Sequence, residues 1–303
     1  MRAKNIIAAA AVAVTAVGGL AACSTAASTA TAPLAAAPAT DTPAPAQTAH
    51  VVRPAPAKTA YVASAPAPSL RHSAKPSHRL RRLPLAGDVI VLDPGHDGGN
   101  AAHPAIINQL VNVITEQKAC DTVGAETDAG YPEHAFNFDV AIRLARLLRI
   151  DGATVVLTRH TDSGVGPCVT ERAAIGNGAH ANAAISIHAD GGPPGGSGFE
   201  VIEPGLVPGY ADKIVGPSRR LGLDIRNYYS VITGEPYSDY VGAAGLDVRT
   251  DLGGLNLSTV PKVFIECANM RNSSDAASLT NAAFRQRIAV ALAAGLSAFL
   301  DGH

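Results

Sequence analysis

The sequence predicts a single α/β domain over residues 87–303, with a mostly parallel, mixed central sheet flanked by helices on both faces. Two observations support this class. Short, uninterrupted apolar runs rich in β-branched residues recur along the domain, as in strands that are buried on both faces. Longer segments with apolar residues at every third or fourth position separate these runs, as in amphipathic helices. Strands alternating with helices are typical of a sheet layered between helices.

The N-terminal residues have the features of an export signal. Arg2 and Lys4 precede an apolar run over residues 6–20, which suits a secretory signal and is short for a membrane-spanning helix. The next residues, Leu-Ala-Ala-Cys ending at Cys23, resemble the bacterial lipobox, whose Cys becomes the lipid-modified first residue of the mature chain. We therefore expect a signal peptide over residues 1–22 and a lipid anchor on Cys23. An ordinary cleavage site, giving a secreted or periplasmic protein, is the alternative.

Residues 23–86 are expected to be a disordered linker. The segment is rich in Ala, Pro, Ser and Thr, and Tyr61 is its only aromatic residue, so it cannot bury enough apolar surface to offset the entropy lost on ordering. Its seven Lys or Arg residues stand against Asp41 alone, so the chain's net charge of −1 conceals a basic arm on an acidic domain. The arm suits contact with anionic lipid or wall polymer, or serves as a solvated spacer. Nucleic acid is not an expected partner of an exported acidic domain.

The domain is long enough to bury one sizeable core and contains no repeat of fixed period. Apolar runs predict strands at residues 89–92, 154–158, 184–188, 199–202 and 263–266. Periodic patterns predict helices from Pro132 to Gly152 and over residues 211–229 and 275–300.

The segment 100–131 does not fit this alternation, because a short connection between strand and helix is expected there. Loops of that length are usually functional or disordered. We interpret the segment as a lid or wall beside a functional site, and a plain surface excursion is equally compatible with the sequence.

Titratable residues stand at the carboxyl ends of the predicted strands, where ligands gather in α/β sheets. His96 follows the first strand, His188 and Glu266 close two others, and Glu133 opens the helix after Pro132. Two imidazoles and one carboxylate are a common set of zinc ligands, and a second carboxylate would then be free to move protons. Position alone does not decide which glutamate is the ligand and which is the base.

The sequence gives weaker support to other kinds of catalytic site. The sequence contains neither the His-Glu-x-x-His motif nor the Gly-x-Ser-x-Gly elbow, and it has no Walker-type loop. His134 adjoins Glu133, but neighbouring helical residues point about 100° apart, so the two are not expected to bind one ion. Cys267 continues an apolar strand and is expected to be a packing residue rather than a nucleophile.

Five short motifs occur in one order along the domain. They are Val-Leu-Asp-Pro-Gly-His ending at His96, Glu133 with Asn137, Thr158-Arg159 with Asp162 and Arg172, Ser-Ile-His-Ala-Asp over residues 186–190, and Val-Phe-Ile-Glu ending at Glu266. With them, residues from about 88 to 300 resemble the zinc-dependent N-acetylmuramoyl-L-alanine amidases of the amidase-3 family. Members of this family cut the amide that joins the lactyl group of N-acetylmuramic acid to L-alanine of the peptidoglycan stem peptide.

The resemblance implies one zinc ion per chain, with His96, Glu133 and His188 as its ligands and Glu266 as the catalytic carboxylate. It places Asn137 where it could steady Glu133. Arg172 is expected near the site or the substrate, or in a structural ion pair. The segment 100–131 departs from the family pattern.

Three cysteines remain if Cys23 carries lipid. In the oxidising cell envelope two of them are expected to pair. Cys120 and Cys168 both lie in polar or Gly-rich connections, so we expect them to form the disulfide and Cys267 to stay free.

Together these expectations describe an exported, membrane-anchored and monomeric amidase of the cell envelope that acts on peptidoglycan or muropeptide fragments. Two alternatives remain from the sequence. One is a zinc peptidase that cuts within the stem peptide, and the other is a non-catalytic, wall-binding lipoprotein.

Overall fold

The structure is a computed structural model that describes residues 82–302. The expected signal peptide, Cys23 and all but the end of the expected linker lie outside these residues. Leu85 is fully buried, and its backbone N–H donates to the carbonyl of Asp151 at 2.9 Å. The folded domain therefore includes the last residues that the sequence assigns to the linker.

Eight strands and seven helices occur within residues 82–302, together with a 3₁₀ turn at Asn100–Ala102. The strands are β1 (Val89–Pro94), β2 (Leu110–Asn112), β3 (Gln117–Ala119), β4 (Thr154–Leu157), β5 (Ala183–Asp190), β6 (Glu200–Pro204), β7 (Leu246–Arg249) and β8 (Lys262–Asn269). The helices are α1 (Pro104–Ile107), α2 (Glu133–Ile150), α3 (Val169–Gly178), α4 (Val215–Thr233), α5 (Gly253–Asn256), α6 (Ser273–Thr280) and α7 (Ala282–Asp301).

The central sheet has six strands in the order β4-β1-β5-β8-β6-β7. Strands β4, β1, β5 and β8 are parallel, β6 is antiparallel to β8, and β7 is parallel to β6. The sheet is therefore mixed and mostly parallel, which confirms the predicted class. Strands β2 and β3 form a separate antiparallel hairpin within the long 100–131 segment.

The two faces of the sheet differ in chemistry. Alternate residues such as Leu92, Ile185 and Ile265 pack with the apolar sides of α2, α4 and α7 in the main core. The opposite face carries only a small apolar cluster around Val91 and Ala184. Helix α3 covers part of that second face, and polar side chains occupy the rest. Helices therefore lie on both faces, as predicted, but the main apolar core lies on one.

The predicted helix over residues 275–300 is two helices, because Asn281 separates α6 from α7. The Asn281 side chain accepts a hydrogen bond from Ala283 N–H at 2.8 Å and caps α7. Among the described helices, α7 alone is long and apolar enough to cross a membrane. Its Ile288, Leu292 and Leu296 are fully buried in the core, as in the core helix of a globular domain.

A disulfide joins Cys120 to Cys168, the pairing that the sequence predicts, and Cys267 is free and buried. The bond connects the 100–131 segment to the start of α3 and closes a loop with a sequence separation of 48. Such a cross-link stabilises the fold mainly by restricting the unfolded chain.

A buried charge cluster lies on the polar face of the sheet, around Asp93 of β1. Its carboxylate accepts hydrogen bonds from Lys262 Nζ at 2.8 Å, Arg172 Nη1 at 3.0 Å and the hydroxyls of Thr158 and Ser186. Burial alone would raise the pKa of Asp93, but the Lys262 and Arg172 charges outweigh it and hold that pKa well below its ordinary value. The cluster thus ties β1, β8 and α3 together.

We expect Asp93→Asn to lower the free energy of unfolding by about 3–5 kcal/mol, because it leaves two buried cations without their shared carboxylate. Chemical denaturation at pH 7 measures this loss. Since the folded-state pKa is depressed, the Asp93 contribution is present above the unfolded-state pKa of about 3.9 and is lost as the pH falls below it.

Asp139→Asn is the control, because Asp139 pairs with Arg143 and Arg285 at a partly exposed site. Its expected cost is at most about 1 kcal/mol. Equal costs for the two variants would contradict the role assigned to the buried cluster.

Candidate metal centre

Three of the residues singled out in the sequence come together at the carboxyl end of the sheet. His96 lies in the turn after β1, Glu133 is the first residue of α2, and His188 lies in β5. One ligand atom from each side chain lies within 4.8 Å of the other two. Within residues 82–302 no other group of three such side chains is arranged to hold a metal ion.

The spacing within this group fits a single metal ion. Glu133 stands between the two imidazoles, with Oε2 at 3.1 Å from His96 Nε2 and Oε1 at 2.8 Å from His188 Nδ1. Two ligand atoms bound tetrahedrally to one zinc ion at about 2.0–2.1 Å lie roughly 3.3 Å apart. The donor set, two imidazole nitrogens and a carboxylate, is also one that zinc accepts.

The far side of the His96 ring is held by residues that follow Cys120. His96 Nδ1 donates to the carbonyl of Thr122 at 3.0 Å and lies 3.4 Å from Asp121 Oδ1. These contacts turn Nε2 towards Glu133, as partners of metal-binding histidines commonly do. Burial lowers the pKa of His96, but the Glu133 and Asp121 carboxylates outweigh it and raise that pKa to about 10 in the absence of metal.

Glu133 is fixed by three hydrogen bonds besides its contacts with the imidazoles. Its carboxylate accepts from Ala125 N–H at 2.7 Å, Ala189 N–H at 3.3 Å and Asn137 Nδ2 at 3.2 Å. Burial would raise the pKa of Glu133, but the nearby His96 charge and the His188 hydrogen bond lower it well below its ordinary value. Asn137, one helical turn along α2, is thus in direct contact with the carboxylate it was expected to steady.

The His188 ring is confined on two sides. The Phe264 ring stacks on it at 4.0 Å with an interplanar angle of 15°. Gly95 packs so closely that an added Cβ would lie 1.9 Å from His188 Cε1. Only glycine allows this close approach, so the side chain of His188 has little freedom to rotate.

Glu266 lies beside this group but outside it. In the parallel pairing of β5 with β8, Glu266 is the register partner of His188. Its Oε2 atom is buried and has no hydrogen-bond partner among the described residues. Burial and the Glu133 and Asp190 carboxylates raise the pKa of Glu266 well above its ordinary value. The structure therefore contains a carboxyl next to the ligand group that is not itself in the group.

A cavity of about 610 Å³ opens over the polar face of the sheet, and His96, Glu133, His188 and Glu266 are all in its lining. The cavity is also lined by residues 116–119 of the hairpin, by Arg249 and by residues 251–255. Lys118 Nζ of the hairpin binds Asp251 Oδ2 at 2.7 Å across the cavity wall. Part of the 100–131 segment is thus a wall of the site.

Two other residues named in the sequence analysis make ion pairs and hydrogen bonds outside the group formed by the His96, Glu133 and His188 side chains. Arg172 is buried, pairs with Asp93 and Asp121, and donates to the carbonyl of His96 at 3.0 Å. His134 turns away from the centre and contacts the Asp162 carboxylate at 2.9 Å.

Sequence reasoning missed Asp121 and Phe264 as parts of the centre. Phe264 carried a usable signal, because it lies two residues before Glu266 and so on the same face of β8. Asp121 carried none, since only the disulfide-bonded loop brings it to His96.

Comparison with known proteins gives one consistent result. A family model described as N-acetylmuramoyl-L-alanine amidase matches residues 90–298. An N-acetylmuramoyl-L-alanine amidase of Mycobacterium tuberculosis is 39% identical over 216 residues, which cover 71% of this chain and 88% of that protein.

Two solved structures are similar over the same region. The crystal structure of the amidase Ami1 from Mycobacterium smegmatis has a TM-score of 0.68 and 39% identity, covering 72% of this chain and 99% of that one. The apo form of Ami1 from Mycobacterium abscessus has a TM-score of 0.67 and 38% identity, covering 71% of this chain and 100% of that one.

We expect Gly95→Ala to weaken zinc binding at least about 10-fold, because the new methyl group displaces the His188 ring. Calorimetric titration of the metal-free protein with zinc measures the change. Gly216→Ala in α4 is the control, since an added Cβ there meets nothing within 4 Å. An unchanged zinc affinity in Gly95→Ala would show that the close approach does not hold the ligand.

Proposed function

The chain belongs to the N-acetylmuramoyl-L-alanine amidase family, and from this we propose that it hydrolyses the amide between N-acetylmuramic acid and L-alanine in peptidoglycan with one zinc ion. The observation that carries the proposal is the pairing of His188 with Glu266 across β5 and β8. This pairing supports the proposal, because it brings a carboxyl that is not part of the His96, Glu133 and His188 group next to His188, and metal-assisted hydrolysis uses such a group to move protons.

His96, Glu133 and His188 are the residues that would hold the ion. Three protein ligands are the number typical of catalytic zinc sites, whereas structural zinc sites have four. When bound, zinc would polarise the lactyl carbonyl and lower the pKa of water to about 7.

Glu266 is the proposed general base and acid. As a carboxylate it accepts a proton from the attacking water, whose oxygen forms the new bond to the lactyl carbon. As a carboxylic acid it returns that proton to the nitrogen of L-alanine when the amide bond breaks, so the proton count balances. Burial beside the Glu133 and Asp190 carboxylates raises the pKa of Glu266, which makes its carboxylate a stronger acceptor for the proton of the water.

The remaining contacts keep the centre in one geometry. Asp121 and Thr122 orient His96, Asn137 holds Glu133, and Phe264 fixes the plane of the His188 ring. Buried polar partners of this kind make up for the loss of water around the site. They support the assignment of Asn137 as a residue that acts through Glu133, and of Arg172 as a structural ion pair beneath His96.

We also propose that the protein works in the cell envelope, in wall turnover, remodelling or the separation of daughter cells. The signal-like residues 1–22 and the lipobox-like sequence at Cys23 support export and a lipid anchor. The basic linker before the acidic domain supports contact with anionic lipid or wall polymer. Peptidoglycan or its muropeptide fragments are the expected substrate, and we expect the protein to act as a monomer.

We expect Glu266→Gln to lose roughly 10²–10⁴-fold in turnover while its zinc affinity stays unchanged, because only the proton carrier is removed. His188→Ala should lose both zinc and activity. Mass analysis of products from a purified muropeptide, together with the zinc content of each variant, measures these effects.

Glu203→Gln is the control, since Glu203 is buried, pairs with Arg219 on α4 and does not line the cavity. Full activity in Glu266→Gln would remove Glu266 from the mechanism. Products cut within the stem peptide, instead of an intact peptide with a free L-alanine amine, would assign the protein as a peptidase. A wild-type protein without zinc or activity would favour a wall-binding role.

A further inference from the structure

The turn that carries His96 is held by two arginine side chains through its backbone. Three successive carbonyls, those of Pro94, Gly95 and His96, all accept hydrogen bonds from guanidinium groups. Arg172 supplies bonds to Pro94 and His96, at 2.8 and 3.0 Å. Arg159 supplies the others, at 3.0 Å to Pro94 and 3.2 Å to Gly95. His96 itself has a φ of 56°, so this turn has a backbone conformation that needs such support.

Arg159 also binds the second ligand-bearing segment. Its Nη2 donates to the carbonyl of His134 at 2.8 Å, and His134 directly follows Glu133 in the first turn of α2. One guanidinium therefore contacts the backbone next to His96 and the backbone next to Glu133. No other side chain among those described donates to both segments' carbonyls in this way.

The five N–H donors of Arg159 are all used. Besides the three bonds to Pro94, Gly95 and His134, its Nη1 donates to the carbonyl of Thr161 and to Asp162 Oδ1, both at 2.9 Å. The Arg159 side chain is only 3% exposed and is not in the lining of the cavity. A substrate group would find no donor free, so contact with substrate does not explain this residue.

We infer that Arg159 is a positioning residue of the metal centre, which fixes the His96 turn relative to the Glu133 helix so that the ligands are in place before metal binds. The inference rests on the proposed zinc site. The planar guanidinium group has five N–H donors spread over three nitrogen atoms, so it can hold carbonyls from separate segments at once. The lysine ammonium has three N–H donors on a single nitrogen atom. Residues that hold the ligands of a metal site typically contribute 10–100-fold to metal affinity.

The test is the zinc affinity of Arg159→Lys in the full-length mature chain, measured by competition with a chelator, beside the melting temperature of the metal-free protein. The variant keeps the charge and removes the fork. We expect zinc to bind about 10–100-fold more weakly. Arg143→Lys makes the same chemical change at a partly exposed site on α2 and should leave the affinity unchanged.

Leu296→Ala separates positioning from stability. It removes a fully buried core side chain of α7, so it should lower the melting temperature without changing the zinc affinity. If Arg159→Lys binds zinc as the wild type does, or if Leu296→Ala weakens zinc binding as much at an equal loss of melting temperature, the inference is wrong. A wild-type chain that binds no zinc would instead defeat the proposed function itself.

If Arg159→Lys does not fold, a second variant, Asp162→Asn, provides the test. Asp162 accepts from both Arg159 Nη1 and His134 Nδ1 and is about a quarter exposed, so Asp162→Asn should fold. It loosens the guanidinium without removing it, and we expect several-fold weaker zinc binding. Unchanged affinity in a folded Asp162→Asn protein would then overturn the inference.

Discussion

The placement of Glu133 between two imidazoles is the constraint on which the rest of the site depends. A carboxylate taken out of water is costly unless charge and hydrogen bonds replace the solvent. Here His96 supplies the charge, and His188 together with the N–H groups of Ala125 and Ala189 supplies hydrogen bonds. This carboxylate is therefore the point at which three segments meet: the turn after β1, the loop before α2 and the end of β5.

The two faces of the sheet have different roles: one stabilises the fold, and the other carries the candidate site. Apolar side chains of α2, α4 and α7 cover one face and supply the main core. The other face carries linked polar groups, in which Arg172 joins Asp93 to Asp121 and Asp121 in turn contacts His96. Since an unpaired charge in such a cluster is expensive, the ion pairs below the site and the orientation of His96 depend on one another. The disulfide at Cys120 holds the loop that brings Asp121 into this network.

The sequence was sufficient to predict the central strands and the end of the sheet at which the site lies. Buried parallel strands are continuous apolar runs, and the titratable residues near the carboxyl ends of β1, β5 and β8 cannot be explained by packing. Short elements were missed, because β7 and the β2–β3 hairpin have weak patterns of their own and depend on tertiary contacts. Helix α3, which is rich in small residues, was missed for the same reason.

Positions along the chain also left open which glutamate belongs with the two histidines. The answer depends on where α2 begins relative to β5, which is a tertiary relation, and the structure sets Glu133 between the imidazoles and Glu266 outside them. Arg159 was visible in the sequence only as part of a motif. Its contacts with carbonyls of two distant segments have no sequence pattern, because backbone acceptors are present at every residue.

The most direct test of this account is anomalous diffraction at the zinc absorption edge from crystals of the protein grown with zinc. The account predicts one strong peak bounded by His96, Glu133 and His188, with the Glu266 carboxyl near it but not bound to it. No peak between these three side chains, or a peak ligated by Glu266 in place of Glu133, would contradict it.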